Sequence, residues 1–168
     1  MVKPALDLVK VSKQLRGNTY HFHLDVVSWR KFAAGIPLDW QRVKFNEAGA
    51  TQVPLIRGVY VFTIEVQDIG LPTHGYIMYF GITGDDGKGN LRTRYRQYLR
   101  EPTRKRRRPR VTYMLTEWSE DLFFNFMPIP DTSVDLSVIE KSFLNSVIPP
   151  VNFSDFDGDI GPARKASL

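Results

Sequence analysis

The chain of 168 residues contains no cysteine, so it forms no disulfide and offers no thiolate for a zinc site. That lack fits a reducing compartment, and a cytoplasmic location is the expectation. No apolar run approaches the roughly 20 residues of a membrane-spanning helix, and the first residues show no apolar signal-peptide core. A membrane partner is therefore not expected. Histidine is scarce, 3 in all. His21 and His23 alternate with Asp25 opposite Tyr20, Phe22, Leu24 and Val26, the pattern of a half-buried strand with a wet side rather than of a metal site. His74 falls in a glycine-rich turn. Two further motifs are missing a defining residue. Gly84–Gly89 is rich in glycine but lacks the spacing and the terminal Lys-Ser/Thr of a phosphate-cradling loop. Asp155, Asp157 and Asp159 have no acid at the closing position of a calcium loop, so a polar tail is expected there.

Positive charge is abundant. The net charge is +5 and the isoelectric point about 9.5, and the excess is concentrated in Arg92, Arg96, Arg100, Arg104, Lys105, Arg106, Arg107, Arg108 and Arg110. A run dominated by arginine suits phosphate, because the guanidinium fork matches two phosphate oxygens. Each phosphate neutralised also releases counterions. DNA, most simply double-stranded, is the expected partner, in preference to an acidic lipid surface.

With 42% hydrophobic and 12% aromatic residues, the chain is expected to fold around a real core as one domain. Residues 1–54 are read as an N-terminal extension packed on the main domain, 55–154 as the main domain, and 155–168 as the tail. Val59–Val66 and Tyr76–Ile82 are β-branched and aromatic, separated by a turn with Gly70, Pro72 and Gly75, and predict an antiparallel hairpin. Asn90 is a good N-cap for a helix whose Leu91, Arg94, Tyr95 and Tyr98 share one face. Residues 111–118 fit helix or strand. Residues 122–129 read as a strand, and Asp131, Thr132 and Ser133 offer caps for a helix reaching Val147. Glu140 lies on the apolar stripe of that helix with Leu136, Ile139, Phe143 and Val147. A carboxylate so placed calls for a metal or an arginine. The same argument gives Arg94, on an apolar helix face, a carboxylate or phosphate partner.

Taken in order, Gly58-Val59-Tyr60, Tyr79-Phe80-Gly81, Arg94 with Tyr98 four residues on, Glu140 and Asn152 resemble the GIY-YIG nuclease family over roughly residues 58–152. The resemblance implies an α+β fold with a small antiparallel sheet flanked by helices. It also implies hydrolysis of DNA phosphodiesters with one magnesium or manganese ion per site. Glu140 would be the metal ligand. Tyr60 would help deprotonate water as a phenolate favoured by nearby cations, Tyr79 would position water or phosphate, Arg94 would stabilise the transition state, and Tyr98 would assist proton transfer. Gly58, Gly81 and Asn152 would support the site. Ile82 stands where many members carry a lysine, and no separate recognition module is visible, which leaves target binding to the basic run and the extension. Cutting both strands together with single-site domains takes two of them, hence a homodimer or a partner subunit. A non-catalytic nucleic-acid-binding protein with the same fold stays open as the second reading. Metal-dependent strand cleavage separates the two.

Overall fold

A computed structural model describes residues 26–32, 34–65, 70, 72, 75–106 and 108–152. Of the alternating run at 18–27, the part with His21, His23 and Asp25 lies outside the described residues, as do the loop residue His74, Arg107 and the tail aspartates. The last two residues of that run, Val26 and Val27, correct the strand expectation, since they open a helix and are exposed. In chain order the elements are α1 (Val26–Lys31), β1 (Gln41–Lys44), β2 (Gly58–Glu65), β3 (Gly75–Thr83), α2 (Leu91–Leu99), α3 (Pro109–Glu117), β4 (Leu122–Pro128) and α4 (Leu136–Val147). The strands form one antiparallel sheet in the order β1-β4-β2-β3, flanked by helices.

β2 is hydrogen-bonded on both edges, and its alternation separates two cores. Tyr60, Phe62 and Ile64 pack with Leu91, Tyr95 and Tyr98 of α2 and with Val111, Met114 and Leu115 of α3. Val59 and Val61 point the other way, into a core with Phe80 of β3 and Leu136, Ile139, Phe143 and Leu144 of α4, where Phe32 and Ile36 also pack. Both faces of the strand are dry because helices cover both sides. The expected hairpin is present, with a register shift between Phe62 and Thr63 that leaves Met78 as an extra residue in β3.

Several elements differ from the sequence expectation. Of residues 111–118, which fit helix or strand, all but the C-capping Trp118 belong to a helix whose first residue is Pro109, where the missing N–H costs nothing. The last helix starts at Leu136 and is capped by Asp135, whose Oδ1 accepts from Ser137 N at 2.9 Å. Asp131 and Ser133, the caps expected upstream, close a turn of their own instead, with Asp131 Oδ1 accepting from Ser133 N at 2.9 Å. β1 was not foreseen. Its sequence, Gln-Arg-Val-Lys, buries one apolar side chain, Val43, and so carries almost no strand signal. The charge suits an edge: Arg42 pairs with Glu65, and the Arg42 and Lys44 cations lie 4.8 and 4.7 Å from the centroid of the Phe123 ring. Part of the segment 1–54 is thus built into the sheet through β4.

The opposite edge, β3, is covered by the residues that follow α4. Val151 N donates to Met78 O at 3.0 Å. Asn152 then mimics a peptide, its Oδ1 accepting from Phe80 N at 2.8 Å and its Nδ2 donating to Phe80 O at 2.9 Å. Both groups of a buried residue are satisfied by one side chain.

Gly58 fixes how closely β2 and β4 approach, since a Cβ there would collide with the backbone carbonyl oxygen of Met127. That contact is with backbone and no rotamer relieves it. Gly58→Ala should destabilise the fold by about 1–3 kcal/mol, as overpacking does. Urea unfolding of the variant checks this, and an unchanged midpoint would mean the two strands yield without cost.

Candidate active site

Tyr60 leaves β2 toward α2 and lies across Gly81, its register partner on β3. A Cβ at Gly81 would stand 2.6 Å from Tyr60 Cζ, so the glycine makes room for the phenol ring. The ring stacks on Phe124 with centroids 5.3 Å apart. Its hydroxyl meets that of Tyr98 at 2.9 Å, a bond between the central strand and α2. Tyr79 completes the group, with its ring centroid 6.3 Å from that of Tyr60 and 6.0 Å from that of Tyr98. Three phenols separated by up to 38 residues thus share one cluster. Tyr60 and Tyr98 are buried, at 1% and 0% exposure, whereas Tyr79 is half-buried and is the phenol nearest to solvent.

The cluster has charges around it. Arg94 acts on Tyr60, and Arg108 and Glu140 act on Tyr79. Glu140 comes from α4, which packs on the other face of the sheet, and its charge is felt at the edge strand that carries Tyr79. Arg94 is half-buried. It donates from Nη1 to Gln97 Oε1 at 3.0 Å, while its Nε is buried without a hydrogen-bond partner among the described residues. It lines a cleft of about 380 Å³ together with Ile82 to Asp86 and Lys88. The glycine-rich connector forms this wall, with Gly84 at φ +81, where only glycine is unstrained. A buried guanidinium N–H beside an open cleft suits an anion.

The expectation that cations make Tyr60 a phenolate is corrected by its surroundings. Burial raises its proton affinity well above that of a free phenol, the neighbouring phenols Tyr98 and Tyr79 raise it further, and Arg94 offsets only part. Tyr79 is raised likewise, by burial first and then by Tyr98. A buried charge on oxygen is costly when the nearby cation is not in direct contact.

The basic run divides. Arg92 is structural: its Nε donates to Val53 O at 2.6 Å and its Nη2 to Thr51 O at 3.1 Å. Arg110 Nη1 reaches Pro150 O at 3.3 Å. Arg104 and Arg108 both pair with Glu101. Arg96, Arg100, Lys105 and Arg106 are exposed and form no ion pair among the described residues.

Sequence reasoning missed Glu101 and Arg57. Glu101 is a fully buried carboxylate inside the arginine run, and its spacing of three and seven residues from Arg104 and Arg108 was the available signal. Arg57 precedes the first motif and ties three segments together. It donates to Asp131 O at 2.6 Å, to Val134 O at 3.0 Å and to Asp85 Oδ1 at 2.9 Å. Asp85 Oδ1 also accepts from Leu136 N at 3.1 Å, so the cleft wall is fastened to the start of α4.

Compared with models of protein families, with curated proteins and with solved structures, the chain gives no match.

The tyrosines generate a pH dependence. An unfolded phenol ionises near pH 10, while buried Tyr60 and Tyr79 hold their protons to higher pH. The native state therefore binds more protons above that point, and stability present below pH 10 is lost as pH rises. Tyr95 adds to this, its phenol pushed up to about 12 by burial. Ultraviolet titration should show these phenols ionising together with alkaline unfolding, and Tyr60→Phe should make the loss of stability above pH 10 shallower. Free titration of all the tyrosines near pH 10 in the folded chain would refute this.

Proposed function

We propose that the chain is a divalent-metal-dependent endonuclease that hydrolyses DNA phosphodiester bonds, in the manner of the GIY-YIG nucleases whose motif order it resembles. One observation carries this reading. Tyr60, Tyr79 and Tyr98, from β2, β3 and α2, form one phenol cluster, where the charge of Arg94 is felt at Tyr60 and that of Glu140 at Tyr79, and Arg94 also lines a cleft. A binding surface has no need of that convergence.

The donor set fits magnesium or manganese. Magnesium keeps most of its ligands as water and substrate phosphate, so a single protein carboxylate can serve it. Glu140 would hold it. When bound, such an ion polarises the phosphate and stabilises the leaving alkoxide. Arg94 binds the non-bridging oxygens of the scissile phosphate and opposes the charge that grows on them. Tyr79, the half-buried phenol, orients the attacking water by hydrogen bonding. Tyr60 keeps its proton, and Tyr60 and Tyr98 hold Tyr79 in place from within. The water oxygen bonds to phosphorus, the bond to the leaving oxygen breaks, one water proton passes to solvent, and the leaving oxygen takes up a proton from solvent. The exposed Arg96, Arg100, Lys105 and Arg106 hold the flanking phosphates.

A non-catalytic DNA-binding protein is the second reading, favoured by the burial of Tyr60 and Tyr98. Plasmid cleavage with magnesium, manganese or EDTA decides. Nicking or linearisation should require the metal, and Glu140→Ala should slow it at least about a hundredfold, since metal catalysis supplies several kcal/mol. DNA affinity measured in EDTA should stay within about threefold, because Glu140 contributes no counterion release. Bound but uncut DNA with every metal would leave the binding protein.

The division of the basic run is testable separately. Neutralising Arg96, Arg100, Lys105 and Arg106 together should lower the slope of log affinity against log salt by about 0.9 for each phosphate that is no longer neutralised. Arg92→Gln should instead lower stability and leave the slope unchanged. Equal slopes for all variants would remove this surface from the DNA interface.

A further inference from the structure

Arg108 stands apart from the rest of the basic run. Glu101 is buried to 0% exposure, and its two oxygens are filled by arginine. Oε1 accepts from the Arg108 backbone N at 2.9 Å and from its Nε at 3.2 Å. Oε2 accepts from Arg108 Nη2 at 3.3 Å and from Arg104 Nη1 at 3.2 Å. Burial raises the proton affinity of this carboxyl, and the Arg108 hydrogen bonds and charge, with Arg104, more than offset that and hold it ionised. The same guanidinium lies over the Tyr98 ring, Cζ at 4.9 Å from the centroid. Its fork is thus occupied by a carboxylate and its flat face by an aromatic ring. These two contacts fix a plane, and a lysine ammonium cannot make both. Phosphate recognition on a surface needs the fork open, as it is at Arg96 and Arg100, which form no ion pair among the described residues.

We propose that Arg108, anchored by Glu101, is a positioning residue of the tyrosine site: it holds the Tyr98 ring where its hydroxyl meets that of Tyr60, and it is not a DNA phosphate contact. The inference rests on the nuclease reading for the reaction it serves. Glu101 serves Arg108 in turn, so the ladder runs from a buried carboxylate to a guanidinium, to Tyr98, and on to Tyr60 and Tyr79. A displaced Tyr98 would shift the phenols on which Tyr79 rests, and small misplacements of catalytic groups cost up to about a hundredfold in rate.

The test compares wild type, Arg108→Gln, Arg108→Lys, Glu101→Gln and Arg96→Gln. The readouts are single-turnover cleavage at saturating DNA, affinity in EDTA, the salt slope, and the ring ¹³Cζ resonance of Tyr98, assigned with Tyr98→Phe; thermal melts confirm that each variant folds. Arg108→Gln and Glu101→Gln should cut about tenfold to a hundredfold more slowly, with affinity and salt slope unchanged and the Tyr98 resonance shifted. Arg108→Lys should not restore the rate. In a Tyr98→Phe background, Arg108→Gln should cost little more, since the two act as one unit. Arg96→Gln should lower the salt slope and leave the Tyr98 resonance in place. A salt slope about one lower in Arg108→Gln with an unchanged saturated rate, or an unmoved Tyr98 resonance, overturns the assignment while the nuclease reading stands. Wild type that cuts nothing overturns the nuclease reading, and with it any role of Arg108 in a reaction.

Discussion

The hydrogen bond between the Tyr60 and Tyr98 hydroxyls, at 2.9 Å, joins the central strand to α2 inside the larger core, and the candidate site is built around it. It forms because Gly81 leaves space for the Tyr60 ring on the neighbouring strand. It persists because the core around it is dry, with Phe62, Phe124, Tyr95 and Leu91 all fully buried. A polar pair in such a place is expensive to break, because a buried hydroxyl that loses its partner is left desolvated. The contact that locates the site is therefore also one that locates the helix. Displacing α2 would move Arg94 and Tyr98 together.

The sheet brings charge to this cluster from both of its faces. α2 supplies Arg94 from the side on which the phenols lie, and α4 supplies Glu140 from the other. The charge of Arg94 is felt at Tyr60 on β2, and that of Glu140 at Tyr79 on β3, the edge strand. Covering that edge is then a requirement. Asn152 and Val151 meet it with backbone-like hydrogen bonds to Phe80 and Met78. Arg57 and Asp85 meet a second requirement by fastening the start of α4 to the cleft wall.

The basic residues show why composition understates structure. A net charge of +5 suggests a solvated patch, yet Arg92 props the residues before β2 and Arg108 is folded back on Glu101 and Tyr98. Guanidinium groups reach buried carbonyls and carboxylates as readily as phosphates. The free part of the patch is smaller than the count of arginines implies.

Much of this was legible in the chain. Periodicity located the hairpin, β4 and α2, because strands with a dry face and helices with an apolar stripe repeat their side chains at fixed intervals. The side chain of Asn90 caps α2 by accepting from Thr93 N at 2.9 Å, as its place before an amphipathic run implied. β1 was illegible because an edge strand of four residues with one inward side chain has no period to read. The start of α4 was misplaced because Asp131 and Asp135 are equally good caps locally, and contact with Asp85 favours the second. The sequence by itself determined which residue types were present and which local elements they form, since propensity and periodicity act over neighbouring residues. Only the tertiary structure decided that Tyr60 and Tyr79 are too deeply buried to ionise easily, that Glu101 claims Arg108, and that the charge of Glu140 is felt at Tyr79. Burial and charge pairing depend on groups far apart in the chain, and nothing local encodes them.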